Sequence, residues 1–206
     1  MHTDKAILLL GPTGSGKTPL GNLLEQKGLL GYRCAHFDFG ENLRQTAESS
    51  KPPPFVTEQE MRIIRHSLQT GSLLRDEDFH IACHILEAFI EEKEVKDDDI
   101  LVMNGLPRHI GQAKDIDAVL SIKLVVYLEC TAEVVHQRIQ FNSGGDRTDR
   151  VDDSRAEIER KLQLFHDRTI PLLDHYRAQG SRVEKIDVAV ETTPEEIHRL
   201  LQESCS

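Results

Sequence analysis

Paired cysteines, membrane-length apolar runs and a basic surplus are all missing from this sequence, and each absence removes a class of protein. The four cysteines, Cys34, Cys83, Cys130 and Cys205, contain no C-x-x-C pair. Scattered reduced thiols are therefore expected, not a disulfide framework. No apolar stretch approaches the ~20 residues of a membrane span. The start, Met1-His2-Thr3-Asp4-Lys5, leads straight into an apolar segment and does not resemble a targeting sequence, so a cytoplasmic location away from membranes is expected. Lys and Arg number 25 against 35 Asp and Glu, a formal charge of -10. That balance excludes a surface built to coat nucleic acid. It leaves room for a local basic cluster that binds a small anion. With 206 residues, 38% of them hydrophobic, the chain suits a single α/β domain acting as a monomer.

Apolar runs punctuated by turns give the order of elements. Ala6 to Leu10, followed by a glycine-rich turn, reads as a strand buried on both faces, as in a parallel sheet. Lys17 to Gln26 reads as a helix stopped by Gly28 and Gly31. Further strands are expected at Cys34 to Phe37, Ile100 to Met103, Leu124 to Leu128 and Val183 to Val188. Helices are expected at about Glu41 to Glu48, Thr57 to Gln69, Asp76 to Glu92 (capped by Asp76), from Thr131 to about Phe141, and from Ser154 to about Gln179 with a break at Pro171. Pro194 opens a last helix. Strands alternating with helices imply a doubly wound, parallel, five-stranded sheet with helices on both faces. Residues 39–75 interrupt the alternation as a helical insertion over one edge.

Gly11-Pro12-Thr13-Gly14-Ser15-Gly16-Lys17-Thr18 fits G-x-x-x-x-G-K-[ST], between an apolar strand and a helix. A triphosphate needs many donors at short range, and Gly11, Gly14 and Gly16 let backbone N–H groups approach it unobstructed. With Thr13 and Ser15 they form the loop, and the helix that starts there turns its positive end to the phosphates. Lys17 supplies a point charge, and the Thr18 hydroxyl can ligate Mg²⁺. ATP and Mg²⁺ are the expected cofactors.

Three further segments narrow the class: Gly40-Glu41-Asn42-Leu43-Arg44 after the second strand, Gly105-Leu106-Pro107-Arg108 with Gln112 after the third, and Arg147-Thr148-Asp149-Arg150 before the long helix. With these segments in this order, the chain resembles the adenylate kinase family of nucleoside monophosphate kinases over nearly its whole length. The resemblance implies transfer of the γ-phosphate of Mg-ATP to a nucleoside monophosphate, with AMP the leading acceptor. It implies that Arg44 and Arg108 hold the acceptor's phosphate, that Gln112 contacts its base near Gly105, and that Arg138, Arg147 and Arg150 act with Lys17 on the transferring group. Residues 142–152 would be a short lid, with no cysteines for a zinc site. Phosphoryl transfer suits such a set, because it asks chiefly for two anions held in line and their charge neutralised.

The pattern is broken at four positions. Phe39 stands where the family has Thr or Ser beside the acceptor's base, and could stack on that base or fill its pocket. Glu41 replaces Asp. Lys161 stands for a lid-helix arginine, keeping charge but losing the fork. Asn104 stands where the family has an Asp that supports the metal. Asp38, at the end of the second strand, is a candidate to supply the missing carboxylate beside Thr18. A kinase for another small acceptor and a non-catalytic nucleotide sensor are the rival readings. His80 and His84, four apart on a helix, are read as ordinary surface residues.

Overall fold

The computed structural model describes residues 5–50, 52–145 and 154–205. Its centre is five parallel strands: β1 (Ala6–Leu10), β2 (Cys34–Asp38), β3 (Ile100–Asn104), β4 (Ile122–Glu129) and β5 (Arg182–Asp187). Their order across the sheet is β2-β3-β1-β4-β5. Strands that look uniformly apolar in sequence divide by a period of two. Ala6, Leu8 and Leu10 of β1 join one core with Phe37, Leu101 and Met103. Ile7 and Leu9 join a second core on the opposite face with Val102, Val126 and Leu128. Two apolar faces explain the continuous runs of β1 to β4, which are buried on both sides, whereas the edge strand β5, Arg182–Asp187, is largely exposed.

The helices cover both faces. On one side lie α1 (Lys17–Lys27) and α9 (Pro194–Cys205), which contribute Leu20, Leu24, Ile197 and Leu201. On the other lie α2 (Phe39–Glu48), α3 (Glu58–Thr70), α4 (Phe79–Glu92), α5 (Ile110–Asp117) and α8 (Leu172–Ala178). Two more helices, α6 (Ala132–Gln140) and α7 (Arg155–Leu164), flank the 142–152 segment. No helix among the described residues is long and apolar enough to cross a membrane. The thiols of Cys34, Cys83 and Cys130 are free, and burial pushes Cys34 up to about 12 and Cys83 and Cys130 to about 11.

Several boundaries differ from the sequence reading for identifiable reasons. The helix expected from Asp76 begins at Phe79 after a 3₁₀ turn, Asp76–Asp78. Asp76 does not cap it; its Oδ1 lies 3.6 Å from His109 Nε2, a long-range partner invisible to local pattern. The helix α5 was not foreseen, being short and carrying Gly111 inside it. The long helix expected over 154–179 is three pieces. Pro171 has no N–H to give, and the preceding segment, Phe165–Thr169, widens to π geometry. There Ile170 N bonds to Phe165 O at 3.0 Å. His80 is an exposed helix residue, as expected, with Nε2 2.9 Å from Glu60 Oε1; His84 departs from that reading, being half-buried with no hydrogen-bond partner for its Nδ1 among the described residues.

Candidate active site

The loop from Gly11 to Thr18 turns at the carboxyl end of β1, the strand at which the chain switches from one side of the sheet to the other. Open α/β sheets bind ligands at such a point. Gly14 has φ 74° and Gly16 φ 97°, a left-handed region that side chains rarely tolerate. Lys17 Nζ bonds to Gly11 O and Pro12 O at 2.7 Å each, curling back over the loop. The Gly16–Lys17 step also starts α1, so the positive end of that helix faces the same space.

The next strands bring in the second half of the site. Asp38 ends β2 and serves two elements at once. Its Oδ1 accepts from Glu41 N at 3.1 Å and caps α2. Its Oδ2 accepts from the Thr18 hydroxyl at 2.7 Å. Arg44, one turn along α2, is held by Glu41 Oε2 at 2.7 Å. Across the ladder Asp38 is the register partner of Asn104, whose Nδ2 donates to Asp38 Oδ2 at 2.8 Å and to Thr18 Oγ1 at 3.1 Å.

Gly105 follows with φ 81°, and its backbone turns Arg108 toward α2. A methyl group placed on Gly105 would lie 3.5 Å from Arg108 Nη2 and 3.9 Å from Gly40 N; one on Gly40 would lie 3.6 Å from Arg44 Nη1. Both guanidinium groups therefore border the Gly40–Gly105 contact, next to the Thr18–Asp38 bond. Arg108 Nε is steadied by Gly105 O at 2.8 Å.

The remaining expected residues fall differently. Gln112 is buried, with Oε1 accepting from Arg108 N at 2.9 Å and Nε2 3.5 Å from Leu74 O. It ties the Arg108 turn to the residues after α3. Phe39 is also buried, packed among core side chains with its ring centroid 6.2 Å from that of Phe37. It fills the core and offers no open face for stacking, which corrects one of the two roles considered for it. Arg138 is buried beneath the loop, where its Nε donates to Gly14 O at 3.0 Å. Its Nη1 donates to Ala189 O, Val190 O and Thr192 O at 2.8, 3.0 and 3.0 Å. Four carbonyls thus hold the guanidinium beside the loop. Lys161 is half-buried on α7, beside Arg160, whose Nη2 reaches Gly71 O at 3.4 Å. Arg147 and Arg150 lie outside the described residues.

Sequence reasoning missed His36. It is buried inside β2, with Nδ1 3.0 Å from Asn22 Oδ1 and Nε2 3.5 Å from Asn104 Nδ2. Burial holds its imidazole below the ordinary 6.5, against the opposing pull of Asp38. A polar residue in the middle of Cys34-Ala35-His36-Phe37-Asp38 was the available signal. Gly21 is its complement: a Cβ there would sit 2.2 Å from the His36 ring.

A glycine loop at a strand end, a lysine and hydroxyl at the head of the following helix, and arginines on α2 and on the turn after β3 define a P-loop phosphotransferase of the α/β class. The family pattern described as adenylate kinase matches residues 9–181, and the chain belongs to that family. Similar proteins include the adenylate kinase of Haloarcula marismortui, 25% identical over 228 residues covering 98% of this chain and 97% of that protein. Those of Prochlorococcus marinus and Stenotrophomonas maltophilia are 28% and 29% identical over 180 residues each. These alignments cover 84% and 85% of this chain, and 85% and 87% of those proteins.

Proposed function

We propose that the protein transfers the γ-phosphoryl group of Mg-ATP to AMP, giving two molecules of ADP. The observation that carries this reading is the meeting of two anion cradles on one sheet edge, the Gly11–Thr18 loop with Lys17 and the Arg44–Arg108 pair, joined through the Thr18–Asp38 bond. The backbone N–H groups of the loop bind the β- and γ-phosphates of ATP. Lys17 exchanges its loop carbonyls for phosphate oxygens. Arg44 and Arg108 hold the acceptor's phosphate with an oxygen in line with the γ-phosphorus. That oxygen forms the new P–O bond as the bond to the β,γ-bridging oxygen breaks. The attacking group is already an anion, so no general base is required. Gln112, beside the Arg108 turn, contacts the acceptor's base. Arg138 braces the loop with fixed charge. Residues 142–152, carrying Arg147 and Arg150, and Lys161 on the helix beyond, close over the phosphates and exclude water. The helical segment 39–75 closes from the other side.

Mg²⁺ is the metal this donor set suits. Thr18 and Asp38 offer only oxygen, the hard ligands that Mg²⁺ takes while keeping waters and phosphates for its other positions. The ion, when bound, neutralises charge on the β- and γ-phosphate oxygens.

The test is ADP production measured across AMP, CMP, UMP and GMP with Mg-ATP. AMP is expected to be the best acceptor. Tight binding of a bisubstrate dinucleotide polyphosphate with no turnover on any acceptor would overturn the kinase reading in favour of a nucleotide sensor.

A further inference from the structure

Between the ends of β2 and β3 lies a polar cluster inside an otherwise apolar sheet. Asn104 is at its centre: it is buried, and its Nδ2 faces Asp38 Oδ2 at 2.8 Å, Thr18 Oγ1 at 3.1 Å and His36 Nε2 at 3.5 Å. Three acceptors around one nitrogen fix the amide's orientation, since its carbonyl turned that way would meet a carboxylate. The imidazole lies between Asn22 Oδ1 and Asn104 Nδ2, and the tautomer with the proton on Nδ1 satisfies both, giving Nδ1–H to Asn22 and the Nε2 lone pair to Asn104.

The cluster is close to symmetrical about Thr18. Its hydroxyl donates to Asp38 at 2.7 Å and accepts from Asn104 at 3.1 Å, so side-chain tips of equal length reach it from two adjacent strands. Asp38 and Asn104 are also direct register partners. Carboxylates at both positions would oppose each other at 2.8 Å, which is destabilising. An amide and a carboxylate satisfy each other.

We infer that Asn104 is a positioning residue for the metal-supporting carboxylate of Asp38, and that the two form a couple in which one member carries the charge and the other supplies the donor that orients it. The inference rests on the reading of Asp38 as the metal's carboxylate. It adds that the charge is exchangeable between the strands. Asp38→Asn and Asn104→Asp are isosteric, and Asn at 38 keeps the oxygen that caps α2.

The measurement is the affinity for a non-hydrolysable ATP analogue with Mg²⁺ and with EDTA, in the wild type, Asn104→Ala, Asp38→Asn and the double exchange Asp38→Asn/Asn104→Asp, each checked for melting temperature. Asn104→Ala is expected to lose about tenfold of the Mg²⁺-dependent gain, as outer-shell partners of metal ligands typically do, with the EDTA affinity unchanged. Asp38→Asn loses the gain, and the double exchange recovers it to within a few-fold. A double exchange no better than Asp38→Asn alone would overturn the inference while leaving Asp38 as the metal's support. A full gain retained by Asp38→Asn would instead remove that assignment, and the inference with it.

Discussion

Among single residues, Arg44 and Arg108 have geometry that makes the most specific demand. Each is steadied by a local oxygen, Glu41 Oε2 and Gly105 O, so its guanidinium is poised before any anion arrives. Replacing either with Ala should raise KM for the acceptor about 10- to 100-fold, the equivalent of one or two charge-assisted hydrogen bonds. KM for ATP should stay within a few-fold, and an equal rise in both would refute the division into two cradles. Gly21 is constrained from another direction. Its Cβ would lie 2.2 Å from the His36 ring, and both lie against packed elements, so Gly21→Ala should destabilise by about 1–3 kcal/mol. Thermal melting checks this, and His36→Ala in the same chain should relieve part of the loss, since it removes the ring. At this scale the sequence showed residue types but not their engagements. It marked Arg138 as a cation near the phosphates, yet nothing local foretold that four carbonyls would hold it.

Among the elements, α3 shows local chemistry written fully into the chain. Thr57 and Glu60 form a reciprocal capping box, with Thr57 N donating to Glu60 Oε2 at 2.6 Å and Glu60 N to Thr57 Oγ1 at 3.2 Å. The Thr57 hydrogen bonds are the main reason the Glu60 carboxyl lies below its ordinary 4.5. Thr57→Ala should cost about 1 kcal/mol, a fall of about 2–4 °C in melting temperature for a chain of this size. An unchanged melting temperature would mean that the cap is replaced by water at no cost. Strands β1 to β4 were legible because burial on both faces leaves a nearly unbroken apolar run; β5, exposed at the sheet edge, shows only alternation. Short or interrupted helices were not. Gly111 weakens the local case for α5, and Asp76 looks like a cap until the fold gives it His109. Pro171 foretold a break, and its position also set where the π segment lies.

Across the whole molecule, two buried histidines on neighbouring loops and strands give the fold a common pH dependence. Burial lowers His36 and His109 below 6.5, with Asp38 and Asp76 respectively pulling the other way. When a histidine's folded pKa is depressed, the unfolded chain takes up the proton first as pH falls. Stability is therefore full above about 6.5 and declines below it. Melting temperature should be flat from about pH 8 to 7 and fall as pH drops from about 6.5. His36→Gln should flatten that fall, and the same slope in the variant would count against the assignment. Below the ordinary carboxylate range, loss of the Glu60 cap adds a second decline. By itself the sequence determined the apolar runs of β1 to β4 and the phosphate loop, because each pattern is written within a few consecutive residues. Only the tertiary structure decided that Thr18, Asp38 and Asn104 share one hydrogen-bonded centre. Asp38 and Asn104 are 66 residues apart, and they meet because two-faced burial places β3 between β2 and β1 and brings their polar carboxyl ends to the same rim.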